Sequence, residues 1–380
     1  MPEKKGPLDG VRVLDLTEFI FGPYATQTLG DLGADVVKVE NPTGDRQRHG
    51  SKYAKSEDMG ATFMTLNRNK RSVALDLKTE DGRAKLRELI PTAQVFMHNI
   101  RADAVARLGF DYDSVAKLNP SIVYVHCVGY GSDGPYAGRQ AFDDLVQSAS
   151  GAADLLPRVD HSTDMRLMPS FLADKVSSLH AIYAVLAALF HRERTGEGQF
   201  VEVPMLESFT SFIMAEHLYG ETFDPPVSHV GHTPALANDR RPLASKDGHI
   251  AIQPVSRAAA AKFMELGGLS NAYESERFTS AKGGKAKVAV YYEMLREAAA
   301  AHTTEEWLKL GEAHNIPIMR ANTLEGVLHD PHLEAVNFFQ RREHPTEGTW
   351  LAMKPPIKFA KTPASIRRDP PKIGQNNDEF

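Results

Sequence analysis

The chain of 380 residues holds one cysteine, Cys127, so no internal disulfide framework can staple it. A lone thiol fits a reducing compartment. The opening stretch MPEKKGPLDG has no apolar signal core. The longest apolar run, AIYAVLAALF, falls short of the ~20 residues that a bilayer-spanning helix needs. The expectation is a cytoplasmic protein with no membrane partner. Positive charge is not in excess: the formal net charge is −5. That argues against a general polyanion binder and against a nucleic-acid partner, and leaves only local basic pockets for anionic ligands. There is no repeat of fixed period and no low-complexity tract. What remains is ordinary globular composition, 42% apolar and 24% charged, in a chain long enough for two domains.

The first half alternates short β-rich runs with helical ones. VRVLDL (Val11–Leu16), DVVKVE, RSVALDL (Arg71–Leu77), QVFMHNI and SIVYVHCV read as strands. YATQTLGDLGA, TEDGRAKLRELI, RADAVARLG and DSVAKL read as helices between them. This order predicts a parallel sheet covered by helices, with ligands at the carboxyl ends of the strands. The loops TEFIFGP and HNIR, and the residues after HCV, lie at those ends. From about Pro225 the texture changes to clustered prolines and glycines, then further helices, which predicts a smaller second domain. After Ile316-Pro317 the chain turns strand-like near WLAMKPPIKF and ends in a polar, proline-rich tail.

VGYGSDG places G-x-G-x-x-G at Gly129, Gly131 and Gly134 right after a strand. A dinucleotide fingerprint needs a helix to open on the last glycine. Pro135, Tyr136 and Gly138 follow instead, so a glycine-rich loop is expected. His229/His232 and His329/His332 have the spacing of metal pairs but no nearby ligand set, so the expectation is loop histidines and no metal site. Cys127 sits in an apolar strand and reads as a buried small hydrophobe. The segment FLADKVSSLHAIYAVLAAL (Phe171–Leu189) is a strongly apolar helix, with Ser177 or Ser178 as its cap. That places Asp174 just outside the helix N-terminus. There the helix dipole and Lys175 favour its charged form, and on the residues alone a structural role is the favoured reading.

Several long stretches carry a resemblance. They are LDGVRVLDLTEF with GPYATQTLGDLGADVVKVE, NRNKRSVALDLKTEDGR, GFDYDSVAKLNPSIVYVHCVGYGSDGPY, LAALFHRERTGEGQFVEVPMLES, NIPIMRANTLEGVLHDPHL and PPIKFAKTP. Together they resemble the class III CoA-transferases, of the formyl-CoA transferase and carnitine CoA-transferase type, over nearly the whole chain and least between about 225 and 300. The resemblance implies an α/β fold: a Rossmann-like large domain with a parallel sheet plus a smaller α+β domain, in a ring-shaped chain that forms an interlocked homodimer. The expected division is 1–204 for the N-terminal part of the large domain, 205–230 as linker, 231–317 as small domain, 318–345 as return linker and 346–380 as a segment packing on the large domain.

The resemblance also implies chemistry. CoA would move from an acyl-CoA thioester to a small carboxylic acid through aspartyl anhydride and aspartyl-CoA thioester intermediates. Asp174 stands at the position of the nucleophile. Lys78, Asn99, Ile100 and Arg107 would line the CoA site, with Leu75 and Phe19 in apolar contact and Asp143 near the reacting centre. No cofactor beyond the substrate CoA is implied. Ile20, Asn41 and Gln140 stand where a compared family member has Gln, Arg and Lys; Arg46, Arg48 and Arg139 are the nearby cations that could take over phosphate binding. The glycine-rich loop of formyl-CoA transferases is absent, which argues against formate–oxalate specificity. The alternatives are an α-methylacyl-CoA racemase, which uses a His–Asp pair, and a CoA-binding protein without turnover. The racemase histidine position is Phe142 here, beside Asp143.

Overall fold

The computed structural model describes residues 6–50 and 54–380. Two units are distinct. The larger takes the chain up to Pro157, Thr163–Val230 and Asn337–Phe380; the smaller takes Arg158–Ser162 and Gly231–Val336.

In chain order the first elements are β1 (Arg12–Leu16), α1 (Phe21–Asp31), β2 (Asp35–Glu40), α2 (Ala61–Leu66), β3 (Lys70–Ala74), α3 (Glu80–Leu89), β4 (Val95–His98), α4 (Ala102–Arg107), α5 (Tyr112–Leu118) and β5 (Val123–Val128). They are followed by α6 (Asp143–Ala149), α7 (Leu155–Asp160), α8 (Leu172–Thr195), β6 (Gln199–Pro204) and α9 (Met205–His217). The six strands form one sheet in the order β3-β2-β1-β4-β5-β6, every pair parallel. Such a sheet is covered on both faces, which is why its strands read as near-continuous Val and Leu runs. Val13 and Val95 meet Phe21, Ala25 and Leu29 of α1 and Ala181 and Val185 of α8 in one core. Leu14 and Phe96 point the other way, into a second core with Leu86, Phe110 and Tyr124. Thr79 and Asp111 cap α3 and α5. Gly196, at φ 78°, ends α8 in the left-handed conformation that favours glycine.

The smaller unit is built from β7 (Leu243–Ala244), β8 (His249–Ile252), α10 (Arg257–Leu266), α11 (Glu276–Thr279), α12 (Gly284–Ala299), α13 (Thr304–Ala313), β9 (Ile318–Arg320) and α14 (Pro331–Ala335). Its strands form an antiparallel sheet in the order β7-β8-β9. Its core stacks Phe263 on Trp307, whose indole N–H donates to the Ala299 carbonyl at 2.7 Å. The chain then re-enters the larger unit with the hairpin β10 (Phe339–His344) and β11 (Gly348–Met353). The irregular tail is pinned beside β3. Asn69 Oδ1 accepts from the backbone of Arg367 and Arg368, Asn376 Oδ1 accepts from Ser72 N, and the Arg71 guanidinium lies 4.3 Å from the Phe380 ring centre.

Some expectations change. Helix α8 opens at Leu172, with Phe171 as its cap residue, so Asp174 lies within the first turn rather than outside the helix. Ser177 and Ser178 are buried in its body instead of capping it. At 24 residues α8 is long and apolar enough to cross a bilayer by length and composition, unlike the run read from sequence. It is instead packed against α1, α6, α9, β5 and β6, with Ala173, Ala181 and Val185 fully buried. Residues 205–217, read as linker, form α9 on the same core; 318–345 contains β9 and β10; and strand β6 was not read as one.

Three buried ion pairs brace the first strands. Lys70 Nζ meets Asp15, Lys38 Nζ meets Asp45, both at 2.9 Å, and Arg48 meets Glu40 at 2.6 Å. Burial pushes the Asp15 carboxyl up, but Lys70, Lys38 and hydrogen bonds from Thr17 and Thr26 outweigh it and hold it at about 2. Removing one partner leaves an uncompensated buried charge. Lys70→Ala is therefore expected to cost about 3–5 kcal/mol in chemical denaturation, whereas the half-exposed Lys85→Ala, whose partner Glu88 lies in solvent, should cost under about 0.5. Equal losses would show that the Asp15 pair carries no special weight.

Candidate active site

In a sheet of this order the chain leaves β1 and β4 toward opposite sides, opening a crevice at their carboxyl ends. A cavity of 1480 Å³ lies there, within the larger unit. That exceeds the ~300–1,000 Å³ of common small-molecule sites and suits a long ligand. Phe19, Leu75, Lys78, Asn99, Ile100, Arg107, Asp143 and Asp174 all line it. The structure thus brings together every site residue expected from the sequence.

Their surroundings differ. Lys78, where the chain leaves β3 for α3, is exposed. Arg107, at the end of α4, is also exposed and pairs with Asp103 at 2.9 Å. Asn99 has its amide engaged on both sides: Oδ1 accepts from Glu18 N at 3.0 Å and Nδ2 donates to Glu18 O at 2.9 Å. It ties the loop after β4 to the loop after β1 across the crevice. Phe19 holds a left-handed backbone, φ 70°, a strained conformation for a bulky residue. The ion network supports that loop: Lys38 Nζ donates to Thr17 O at 2.7 Å, and Asp15 accepts from Thr17 N at 3.0 Å. Phe142 packs edge-on to Phe19, with ring centres 6.4 Å apart, and Arg46 lies over the Phe19 ring. Arg46 and Arg139 line the cavity; Arg48 does not, being fully buried against Glu40, so it cannot serve a ligand phosphate.

The first turns of three helices meet at Asp174. It is the third residue of α8; its backbone N–H donates to Asp143 Oδ1 at 3.0 Å, and Asp143 is the first residue of α6. Its carboxyl accepts from the backbone N–H of Phe21, the first residue of α1. Burial, chiefly, and then the Asp143 charge raise the Asp174 carboxyl to about 7, with the Phe21 hydrogen bond opposing them. A half-buried carboxyl raised this far and reachable from a cavity is a mark of a reactive site. Ser178 Oγ lies 2.6 Å from the Phe21 carbonyl and 2.7 Å from the Asp174 carbonyl, its one proton shared between them, and it ties α1 to α8.

Several participants escaped sequence reasoning. Glu18 lines the cavity, and burial, then Asp45, raise its carboxyl. Glu202 and Glu207 hold the glycine-rich loop: Glu202 accepts from Ser132 N and Glu207 from Gly131 N, both at 2.9 Å. Gln147, 1% exposed, bonds Asp143. Polar residues one helical turn past a candidate acid were the available signal for Gln147; partners distant in sequence left none for Glu202 and Glu207. Among the described residues no group of three or more His, Cys, Asp or Glu is arranged to hold a metal. The histidine lining the cavity, His126, is tied through Nε2 to the Ile100 carbonyl at 2.9 Å.

The family model described as CoA-transferase family III matches residues 8–377. The chain is 29% identical to the succinate–glutarate CoA-transferase of Agrobacterium fabrum, covering 99% of this chain and 95% of that protein. It is 30% identical to the probable fatty acyl-CoA transferase Rv3272 of Mycobacterium tuberculosis, covering 98% and 97%. The crystal structure of a CAIB/BAIF family protein from Brucella suis superimposes with a TM-score of 0.85 at 27% identity, over 99% of this chain and 98% of that one.

The raised Asp174 carboxyl has a consequence for stability. Its folded value, about 7, lies above the ordinary 3.8, so the native state favours the neutral form. This contribution is fully present below about pH 4 and is lost as pH rises toward 7. Asp174→Ala is therefore expected to gain stability over wild type across that window, by up to roughly 4 kcal/mol, and to level off above it. Unfolding midpoints measured from pH 4 to 8 check this; a difference independent of pH would contradict the burial argument.

Proposed function

The chain belongs to CoA-transferase family III and is a transferase, and we propose that it moves CoA from an acyl-CoA to a small carboxylic acid with Asp174 as the covalent nucleophile. The observation that carries this reading is the Asp174 carboxyl itself, largely withdrawn from water yet lining a cavity long enough for CoA.

Ionised Asp174 attacks the thioester carbonyl, and CoA leaves as thiolate with an aspartyl acyl anhydride behind it. The thiolate then attacks the Asp174 carbonyl, releasing the donor acid and leaving an aspartyl-CoA thioester. The acceptor carboxylate attacks that carbonyl, expelling the thiolate and forming the second anhydride. The thiolate finally takes the acceptor acyl group and returns Asp174 as carboxylate. Each step exchanges one leaving group for one nucleophile, so activation is conserved throughout. A carboxylate raised to about 7 is a stronger nucleophile than an ordinary one and still ionises near neutral pH. The Phe21 N–H already on that carboxyl is placed to meet the oxyanion that forms there. Apolar neighbours in the cavity, Ile20, Ala141, Phe142 and Phe171, limit water that would hydrolyse the anhydrides. Lys78, Arg46, Arg107 and Arg139 are cations available to CoA phosphates, and together offset the neutral side chains at Asn41 and Gln140. Phe142 offers no second base for racemisation.

On this reading Asp174→Ala abolishes transfer while its CoA affinity by calorimetry stays within about threefold of wild type, since the phosphate-binding cations are untouched. The assay is a screen of carboxylates against acetyl- and succinyl-CoA, read by mass spectrometry. Retained transfer in the variant would remove the nucleophile.

The family resemblance extends the proposal to an interlocked homodimer. The chain leaves the larger unit at Val230 and re-enters it at Asn337. Helix α8 carries exposed Leu179, Tyr183 and Phe190 and α9 carries exposed Phe212, an apolar surface that a second copy would cover. Linked rings separate only on unfolding, so sedimentation should show a dimer down to nanomolar concentration. A folded monomer that reassociates reversibly would overturn interlocking.

A further inference from the structure

Gln147 stands one helical turn beyond Asp143 on α6, and its amide is fully used. Two backbone groups of fixed polarity set its orientation. Met168 N–H can only donate, and it meets Gln147 Oε1 at 2.8 Å. The Ser170 carbonyl can only accept, and it meets Nε2 at 3.0 Å. The nitrogen side of the amide is therefore the side that faces Asp143, where Nε2 lies 2.5 Å from Oδ2. An amide N–H₂ accepts nothing. The other oxygen, Oδ1, faces the Asp174 backbone N–H, again a donor only. Both Asp143 oxygens are thus met by groups that can only donate, which holds its carboxyl in one orientation beside Asp174.

We infer that Gln147 is a positioning residue that fixes the Asp143 carboxylate against the Asp174 backbone, so that the Asp143 charge acts on the Asp174 carboxyl. Gln147 then tunes the basicity of the nucleophile without touching substrate, and the inference rests on the reading of Asp174 as that nucleophile. The backbone anchors have a second effect: they tie the segment leading into α8 to the same side chain, so the carboxyl pair and its setting move as one. Burial raises the Asp174 carboxyl most, and the Asp143 charge adds to it.

The charged and titratable groups on the elements packed around Asp174 are otherwise engaged. Lys175 donates to Ser170 Oγ at 2.6 Å, and His180 bonds the Val176 carbonyl. Glu202 of β6 and Glu207 of α9 hold the glycine-rich loop, and His126 of β5 holds Ile100. Asp31 of α1 is paired with Arg68 at 2.6 Å, and Asp144 of α6 is exposed. Asp143 is the neighbour whose charge acts on Asp174.

The test needs no substrate. The pH window over which Asp174→Ala gains stability on its parent reports where Asp174 ionises. It is measured by thermal unfolding of the full chain in three parents: wild type, Gln147→Met and Gln147→Asn. In Gln147→Met the donor that fixes the Asp143 carboxylate is lost and its charge acts less on Asp174, so the window should close about one pH unit lower than in wild type. In Gln147→Asn a polar amide is kept but is one methylene too short to reach Asp143, so the window should close lower as well. A merely structural Gln147 would lower all midpoints and leave the window in place, which overturns the inference. If Gln147→Met does not fold, an unchanged window in Gln147→Asn overturns it, and a lowered one supports it. Capture of an acyl group on wild-type Asp174 is scored separately: if it fails, the functional reading falls, and if it succeeds while the windows coincide, only the role of Gln147 falls.

Discussion

The structure turns on one contact, between the Asp143 carboxyl at the start of α6 and the backbone of Asp174 in the first turn of α8. Asp143 accepts the backbone N–H of Asp174, so the nucleophile candidate is held by its main chain while its carboxyl is left to face the cavity and the Phe21 N–H. Burial alone would make the carboxyl neutral, and helix N-termini alone would make it an inert anion. The combination leaves it near the midpoint at neutral pH, where a carboxyl is both available as an anion and basic enough to attack.

The fold is organised to keep that contact in place. The parallel sheet changes direction between β1 and β4, and the first helix starts from the loop after β1, so the Phe21 N–H is delivered to the crevice by sheet topology. That loop is strained at Phe19, and strain persists only where the surroundings hold it. Here the surroundings are charged: Asp15, Lys38, Lys70 and Asp45 pair beneath it, and Asn99 ties it from the far side. Buried ion pairs contribute little net stability, so their value in this protein is the fixed position of a loop. The opposite balance holds at Asp174, whose burial costs stability once the carboxyl is ionised and raises its basicity.

Much of this was legible in the sequence. The five strands that precede residue 130 were marked by β-branched runs between turn residues. Resemblance, not periodicity, singled out Asp174, Lys78, Arg107 and Asp143, and all of them line the cavity. What stayed hidden depends on contacts between distant residues. Arg48 reads as a free cation until Glu40 is found against it. Asn99 reads as a ligand contact until both sides of its amide are found on Glu18. Ser177 and Ser178 look like caps because serine commonly caps, but tertiary packing starts the helix two turns earlier than that reading required. Strand β6 was missed although its six residues match β2 and β5 in length and Val201, Glu202 and Val203 alternate as a strand does.

The central claim is that Asp174 becomes covalently acylated during transfer. The direct measurement is the mass of the Asp174 peptide after brief incubation with acyl-CoA donors and an acid quench, scanned across acetyl- and succinyl-CoA and longer acyl chains. A donor that supports transfer should leave Asp174 carrying its acyl group or CoA, and the adduct should disappear when an acceptor acid is added. Transfer that proceeds with Asp174 unmodified, or with the adduct on another residue, would contradict the account.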